Sequence, residues 1–178
     1  MTLKYLYVDG TSYPEDGQGT IKAMALGQHV SVDKQRAEHL RGLLRCLSVC
    51  HAVIPSLDEK TQKILYEGDS PDESALLDGV RTNDIEVTGR TNRDLMITFL
   101  GSKETFQLLY TLEFSSARKR MSVVVRTPEG QLVIFTKGAD NIILERIKKG
   151  SLSEGQLAHL NETVENFSRV RQGSFIYL

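Results

Sequence analysis

Three neighbouring segments in the second half of the chain constrain its fold most, because each has the composition of a β-strand. They cover residues 106–114, 121–126 and 132–136, and the second contains three successive valines, Val123 to Val125. The turn sequence Pro128-Glu129-Gly130 separates the second segment from the third. These two segments are therefore predicted to pair as an antiparallel hairpin.

Helices are predicted on both sides of these strands. Asp33 is placed to cap a helix that runs to about Ala52 and is stopped by Pro55. Ser70 and Glu73 have the spacing of a capping box, with proline in the first turn, which predicts a helix over residues 71–80. Further helices are predicted from Asp140 to a stop at Gly150 and over residues 153–169.

Weaker signals complete the expected architecture. Residues 85–87 and 95–100 read as strands, and the opening residues read as a strand that ends in the turn Asp9-Gly10. Residues 11–19 are rich in Gly, Ser, Thr, Pro and Asp, which predicts a mobile loop. The expected fold is α/β of the α+β type, a mostly antiparallel sheet flanked by helices, in a single domain spanning residues 1–178.

Composition excludes several classes of function. The formal net charge of 178 residues is −1, so no global basic field would attract nucleic acid or an anionic membrane. No apolar run approaches the ~18 residues of a membrane-spanning helix, and the N-terminus has no signal-peptide core. Cys46 and Cys50 are four residues apart on a predicted helix, which indicates reduced thiols buried as small apolar residues. A metal site with His39 and His51 is the disfavoured alternative, because no second cluster completes a tetrahedral set.

The stretch 113–122, EFSSARKRMS, is the richest in binding chemistry. Phe114 offers a flat apolar face for a purine, for which base–aromatic stacking is worth about 1–3 kcal/mol. Lys119 is one of three consecutive cations that could bind phosphates through charge-assisted hydrogen bonds. From the residues alone, a solvated connection, a nuclear-localisation patch and a phosphorylation target at Ser122 stay open.

Two other positions are candidates for ligand binding. Lys137 precedes Gly138, a residue that lets a ligand approach the backbone, although a lysine at a strand end is commonly only solvated. Glu73 could accept a hydrogen bond from the exocyclic amine of adenine or serve the capping box. The chain has no phosphate-loop, dinucleotide, kinase or nucleophile-elbow motif, which indicates binding without chemistry.

Four segments resemble P-type ATPases in the form typical of phospholipid flippases. Residues 66–76, YEGDSPDESAL, resemble the S-P-D-E-x-A-L motif, and residues 112–126, LEFSSARKRMSVVVR, resemble the L-E-F-[ST]-S-x-R-K-R-M-S stretch. KGAD at 137–140 and CLSVCHAVIP at 46–55 resemble two further motifs of that family, in the same order. The resemblance implies the nucleotide-binding domain fold of these pumps.

The resemblance also implies roles for individual residues. Glu73 would contact adenine, Phe114 would stack on it, Lys119 would line the pocket near base or phosphates, and Lys137 would close the far wall. Ser116 stands where calcium pumps have arginine and flippases have serine, which favours a lipid-pump parent over an ion pump. The implied nucleotide-binding set is Asp72, Glu73, Phe114, Ser116, Lys119, Lys137 and Gly138.

Two departures from the family pattern affect the expected function. The phosphorylated aspartate of a D-K-T-G-T motif is missing, and the opening residues resemble the text just after that motif, so the chain is expected to begin past it. Gly173 stands where the family has an arginine that reaches the nucleotide; Arg169 or Arg171 would replace it only after a shift. A decayed pocket that serves a non-catalytic interaction module is therefore an alternative, as is an ion-pump domain.

The resemblance implies binding of ATP, with Mg²⁺ carried by the nucleotide, and no hydrolysis by this chain alone. It also implies the partners: phosphorylation and actuator domains of one parent chain, and an accessory subunit. The parent would be an integral membrane protein that moves phospholipid, with this domain soluble at the cytoplasmic face of the membrane.

Overall fold

A computed structural model describes residues 5–8, 11–14, 20–28, 33–68, 70–169 and 175–177 of the chain. Its elements in chain order are β1 Tyr5–Val8, β2 Thr11–Pro14, α1 Thr20–Ala25, α2 Lys34–Val49, β3 Ile54–Leu57, β4 Ile64–Glu67, α3 Pro71–Arg81, β5 Ile85–Arg90, β6 Asp94–Phe99, β7 Ser102–Leu112, β8 Arg120–Arg126, β9 Leu132–Ala139, α4 Asp140–Leu144, α5 Glu154–Arg169 and β10 Phe175–Tyr177.

The main sheet has six strands in the order β10-β9-β8-β7-β6-β5, and each neighbouring pair is antiparallel. Two hairpins, β1-β2 and β3-β4, stand apart from it. The predicted hairpin of β8 and β9 is confirmed, with Val123 opposite Phe135. The expected α+β fold with a mostly antiparallel sheet is therefore confirmed.

The hydrophobic core lies between one face of this sheet and helices α2 and α3. Side chains alternate between the two faces of a strand, so Met121, Val123 and Val125 of β8 point to the same side and are buried. Helix α2 covers them with Leu40, Leu44 and Leu47, among others in the same cluster. The neighbouring position Val124 faces the other side of the sheet, opposite Ile134, which is exposed. One face of the sheet is thus apolar core and the other is largely open.

Helix α2 begins as predicted, because the carboxylate of Asp33 accepts a hydrogen bond from the backbone N–H of Arg36 at 2.8 Å. It ends at Val49, which is earlier than the predicted end near Ala52 and well before Pro55. The N–H of Cys50 closes the last turn on the carbonyl of Cys46. The N–H of His51 bonds the carbonyl of Val49, whereas the carbonyl of His51 and the N–H of Ala52 bond residues of other elements.

Four other predictions need correction. Residues 11–14 form a strand rather than a mobile loop, because they pair with β1; residues 9–10 and 15–19 lie outside the described part. Helix α4 ends at Leu144, not at Gly150, since the backbone tightens into turns that join Arg146 to Ile143 and Ile147 to Leu144. Strand β7 ends at Leu112, so Phe114 is not borne on a strand. The capping box does not form, because Ser70 makes no side-chain cap bond.

Cys46 and Cys50 are both free thiols and both buried, as predicted. The Sγ of Cys50 lies 3.5 Å from the carbonyl oxygen of Phe135, which ties the end of α2 to β9. The hydrogen bond with Cys50 and burial raise the pKa of the Cys46 thiol, so it stays protonated. Within the described residues, no group of three His, Cys, Asp or Glu side chains is placed to hold a metal ion. None of the helices described is long and apolar enough to cross a membrane.

Candidate functional site

An ion pair between Glu73 and Lys137 is the centre of the candidate site. Glu73 lies in the first turn of α3 and Lys137 lies near the end of β9. The Nζ of Lys137 is 2.7 Å from Oε1 of Glu73, and only 11% and 12% of the two side chains is exposed. The tertiary fold thus joins two of the residues that the sequence nominated separately.

The second carboxylate oxygen of Glu73 explains why the capping box fails. Oε2 accepts a hydrogen bond from the backbone N–H of Ala52 at 2.9 Å. A carboxylate bonded to an ammonium and to a backbone N–H gains more than one that only caps its own helix, because the first contact is charge-assisted. Each carboxylate has about four lone-pair positions, so Glu73 keeps acceptor capacity beyond these two contacts.

Gly138 brings β9 against the start of β8. It stands opposite Arg120 in the ladder, and a Cβ at this position would lie 2.6 Å from Cβ of Arg120 and 2.7 Å from the carbonyl oxygen of Lys119. The N–H of Ala139 donates to that same carbonyl at 3.1 Å. A side chain at position 138 would therefore push the two strands apart beside Lys119.

The loop 113–119, which joins β7 to β8, carries Phe114, Ser116 and Lys119. The chain leaves the ladder after the pairing of Leu112 with Ser122 and turns where Ser115 accepts hydrogen bonds from the N–H groups of residues 118 and 119. Phe114 is 61% exposed, and Ser116 and Lys119 are exposed. Lys119 has a positive φ of 51°, a left-handed conformation that redirects the chain into β8.

The other predicted residues do not take part in the Glu73–Lys137 ion pair. Asp72 precedes Glu73 in the first turn of α3 and is half-buried, but it is Glu73 that makes the ion pair with Lys137. Gly173 and Arg171 lie outside the described residues. Arg169 ends α5, where its guanidinium is 3.6 Å from the carboxylate of Glu165, one turn earlier on the same helix.

The sequence did not indicate Arg90 as a site residue, and it gave His51 and Ala52 no role beside Glu73. The Nη1 of Arg90 donates to the carbonyl oxygen of His51 at 2.7 Å. The N–H of the next residue, Ala52, donates to the carboxylate of Glu73. Burial lowers the pKa of the His51 ring to about 3, with further lowering by the charges of Arg90 and Lys137. Arg90 lies between the predicted strands 85–87 and 95–100, so no periodic pattern pointed to it.

The end of β9 and the loop 113–119 together provide an exposed aromatic ring, an exposed lysine, a glycine and a nearly enclosed ion pair. An aromatic face binds planar rings, and ammonium groups bind phosphates. These side chains therefore suit a ligand with one flat polar ring and one anionic end.

Comparison of the sequence with known proteins shows the family of this chain. Residues 39–169 match the family model described as P-type ATPase, cytoplasmic domain N. The chain is 34% identical over 160 residues to a phospholipid-transporting ATPase of Schizosaccharomyces pombe, which covers 83% of this chain and 13% of that protein. It is 41% identical over 138 residues to "Probable phospholipid-transporting ATPase 11" of Arabidopsis thaliana, a match that covers 72% of this chain and 12% of that protein.

A third similar protein is phospholipid-transporting ATPase IK of Mus musculus, 33% identical over 171 residues, covering 86% of this chain and 13% of that protein. The chain therefore spans only about an eighth of the length of these relatives. The family match covers most of the described sheet and all of α2 to α5 except the first turn of α2. The chain thus belongs to the P-type ATPase family, as its cytoplasmic domain N.

Proposed function

We propose that this chain binds ATP and presents the γ-phosphate to the phosphorylation domain of a phospholipid-translocating P-type ATPase. The observation that carries the proposal is that Lys137, paired with Glu73, and Gly138, packed against Lys119, are consecutive residues near the end of β9. The loop that ends at Lys119 also carries the exposed Phe114. The family match supports the use of ATP.

Two residues would hold the base. Phe114 has most of its side chain open to solvent, so its face is free to stack on adenine without rearrangement of the core. Glu73 is fixed by Lys137 and Ala52 and retains lone pairs that can accept a hydrogen bond from the amine of adenine. A pre-fixed acceptor avoids the entropy cost of ordering a side chain on binding.

Two lysines would hold the phosphates. Lys119 is exposed and Lys137 has ammonium protons beyond the one it shares with Glu73, so both can donate to anionic oxygens. Gly138 would contribute indirectly, because its lack of a side chain lets β9 lie against the backbone of Lys119. Ser116 and Asp72 would supply further polar contacts. Mg²⁺ would arrive with the nucleotide, where it neutralises charge on the phosphates.

The whole protein would transport phospholipid, as the names of its relatives state for those proteins. In this proposal a separate phosphorylation domain supplies the aspartate that receives the phosphoryl group, and an actuator domain and an accessory subunit complete the machine. This chain, a single domain over residues 1–178 at the cytoplasmic face of the membrane, contributes binding and orientation. It does not hydrolyse ATP alone.

Two alternatives predict different behaviour. A decayed interaction module on the same fold is suggested by Gly173, and it would show no saturable binding of ATP. An ion-pump domain would bind ATP equally well, but the relatives compared above are named for phospholipid. The first alternative is the one that a binding measurement can decide.

The test is a titration of the 178-residue chain with ATP, followed by amide NMR shifts. Stacking and a few hydrogen bonds predict a Kd on the order of 0.1–1 mM. Phe114→Ala should weaken binding at least tenfold, a loss of about 1.4 kcal/mol. The matched control is Tyr110→Ala, which removes an equally exposed aromatic from the same sheet outside the site. No saturation up to about 10 mM, or unchanged binding by Phe114→Ala, would overturn the proposal.

A further inference from the structure

The contact between Glu73 and Ala52 is supported by Arg90, a residue that lies outside the motif segments. Arg90, at the end of β5, donates from Nη1 to the carbonyl oxygen of His51 at 2.7 Å. The next residue, Ala52, donates its N–H to Oε2 of Glu73 at 2.9 Å. Arg90 and Glu73 therefore fix two consecutive residues of the segment that leaves α2.

Arg90 also acts on Glu73 through its charge. Burial lowers the pKa of the Arg90 guanidinium, and the negative charge of Glu73 opposes that effect, which places the two groups within electrostatic reach. Glu73 thus lies near two cations, Lys137 in direct contact and Arg90 on the far side of residues 51–52.

The ring of His51 bonds residues 51–52 to the end of α2. It is buried, and its Nε2 lies 3.0 Å from the carbonyl oxygen of Ser48. Because a carbonyl oxygen only accepts, Nε2 must carry the hydrogen, and the lowered pKa keeps the ring neutral near neutral pH. A neutral ring adds no third positive charge next to Arg90 and Lys137. The hydrogen bond to Ser48 fixes this segment at the end of α2, and Arg90 donates to the carbonyl oxygen of His51 rather than to Glu73.

We propose that Arg90 and the backbone of His51–Ala52 form a positioning clamp that keeps Glu73 in place when Lys137 turns to a bound ligand. The inference rests on the proposed nucleotide site and assigns Arg90 and His51 to it as positioning residues. Removing one partner from a buried ion pair leaves an uncompensated charge, which is strongly unfavourable. The clamp supplies Glu73 with a second cation and a backbone N–H, so Lys137 can share its ammonium with phosphate.

The clamp acts at the base end of the ligand, which makes it separable from direct phosphate binding. Loss of Arg90 should lower the affinities for ATP and for adenosine by the same factor, because both ligands present the same base to Glu73. Loss of Lys119, which would contact phosphate, should weaken ATP more than adenosine.

The experiment measures ATP and adenosine affinity by amide NMR for wild type, Arg90→Met, Arg90→Lys and Lys119→Ala. Arg93→Met is the matched control, since it removes an exposed cation three residues away. Arg90→Met should lose about tenfold in affinity for both ligands, the factor expected for one charge-assisted hydrogen bond. Arg90→Lys should recover part of this loss, and the Ala52 amide resonance should move in ligand-free Arg90→Met.

The outcomes separate this inference from the proposed function. If wild type fails to saturate with ATP, the proposed function falls and the clamp has no ligand to serve. If wild type binds and folded Arg90→Met binds both ligands equally well, the clamp alone is overturned. A loss confined to ATP would also overturn it, because Arg90 would then be a phosphate ligand. Should Arg90→Met not fold, Arg90→Ala, which also removes the donor to His51, decides by the same comparison.

Discussion

The ammonium nitrogen of Lys137 lies 2.7 Å from a carboxylate oxygen of Glu73, and both side chains are almost enclosed. Their elements approach each other only in the folded chain, α3 on one side and the end of β9 on the other. Buried charges need partners, so this pair makes the candidate site and the packing of α3 depend on each other.

Unequal loss of stability is expected when each member of this pair is removed. Glu73→Leu leaves Lys137 without its carboxylate and should lower the free energy of unfolding by about 3–5 kcal/mol. Lys137→Met should cost less, about 1–3 kcal/mol, because Glu73 retains the N–H of Ala52. Urea unfolding at neutral pH measures both values.

The double variant completes the cycle. Glu73→Leu with Lys137→Met should be less destabilised than the sum of the single variants, because no charge is left unpaired. Strict additivity would show that the two side chains do not interact in solution.

Gly138→Ala should destabilise the chain because a Cβ would meet the backbone of Lys119 at 2.7 Å and the side chain of Arg120 at 2.6 Å. Overpacking of this kind costs about 1–3 kcal/mol. Thermal unfolding of Gly138→Ala measures it. Gly42→Ala is the control, since Gly42 lies in α2 with no atom near its Cβ position. Gly42→Ala should raise stability by up to about 1 kcal/mol through helix propensity, and equal effects at the two sites would contradict the close approach at Gly138.

Lys119→Gly should stabilise the fold and weaken ATP binding together. The φ of Lys119 is 51°, a conformation that costs a residue with a Cβ about 1 kcal/mol and costs glycine almost nothing. Gln62→Gly tests the backbone part alone, because Gln62 has a φ of 56° in an exposed turn away from the site. Urea unfolding should show similar gains for both, while the ATP titration should show weaker binding for Lys119→Gly only. A stabilised Lys119→Gly with unchanged ATP affinity would remove Lys119 from the site.

His51 should make the chain less stable as the pH falls. Its pKa is lowered to about 3 in the folded state from an ordinary value of 6.5, so the unfolded chain binds the proton more readily. The free energy of unfolding should therefore fall between pH 6.5 and 3, by up to about 1.4 kcal/mol per pH unit from this residue. Above pH 6.5 the ring is neutral in both states and this contribution to the pH dependence vanishes.

His51→Gln isolates that contribution. Its free energy of unfolding should depend less steeply on pH below 6.5 than that of wild type, whereas the exposed His159→Gln should follow wild type. Parallel curves for His51→Gln and wild type would show that the His51 ring takes up its proton in the folded state.

The sequence by itself determined the elements that depend on local pattern. The valines of β8 and the turn at 128–130 specify the hairpin, and Asp33 and Pro71 begin helices where local rules place them. The family motifs also nominated Glu73 and Lys137 from the residues alone. The hairpin and the helix starts were predictable because the interactions that form them join residues close together in the chain. Glu73 and Lys137 were predictable because they lie in segments that resemble family motifs.

Only the tertiary structure decided where the polar groups go. Glu73 has the spacing of a capping box, but a backbone N–H of Ala52 and the ammonium of Lys137 provide better partners than its own helix end. For the same reason α2 stops at Val49, since the backbone at 51–52 bonds Arg90 and Glu73 instead of extending the helix. These partners are distant in the chain, and competition among them is settled by packing, which no local pattern of residues records.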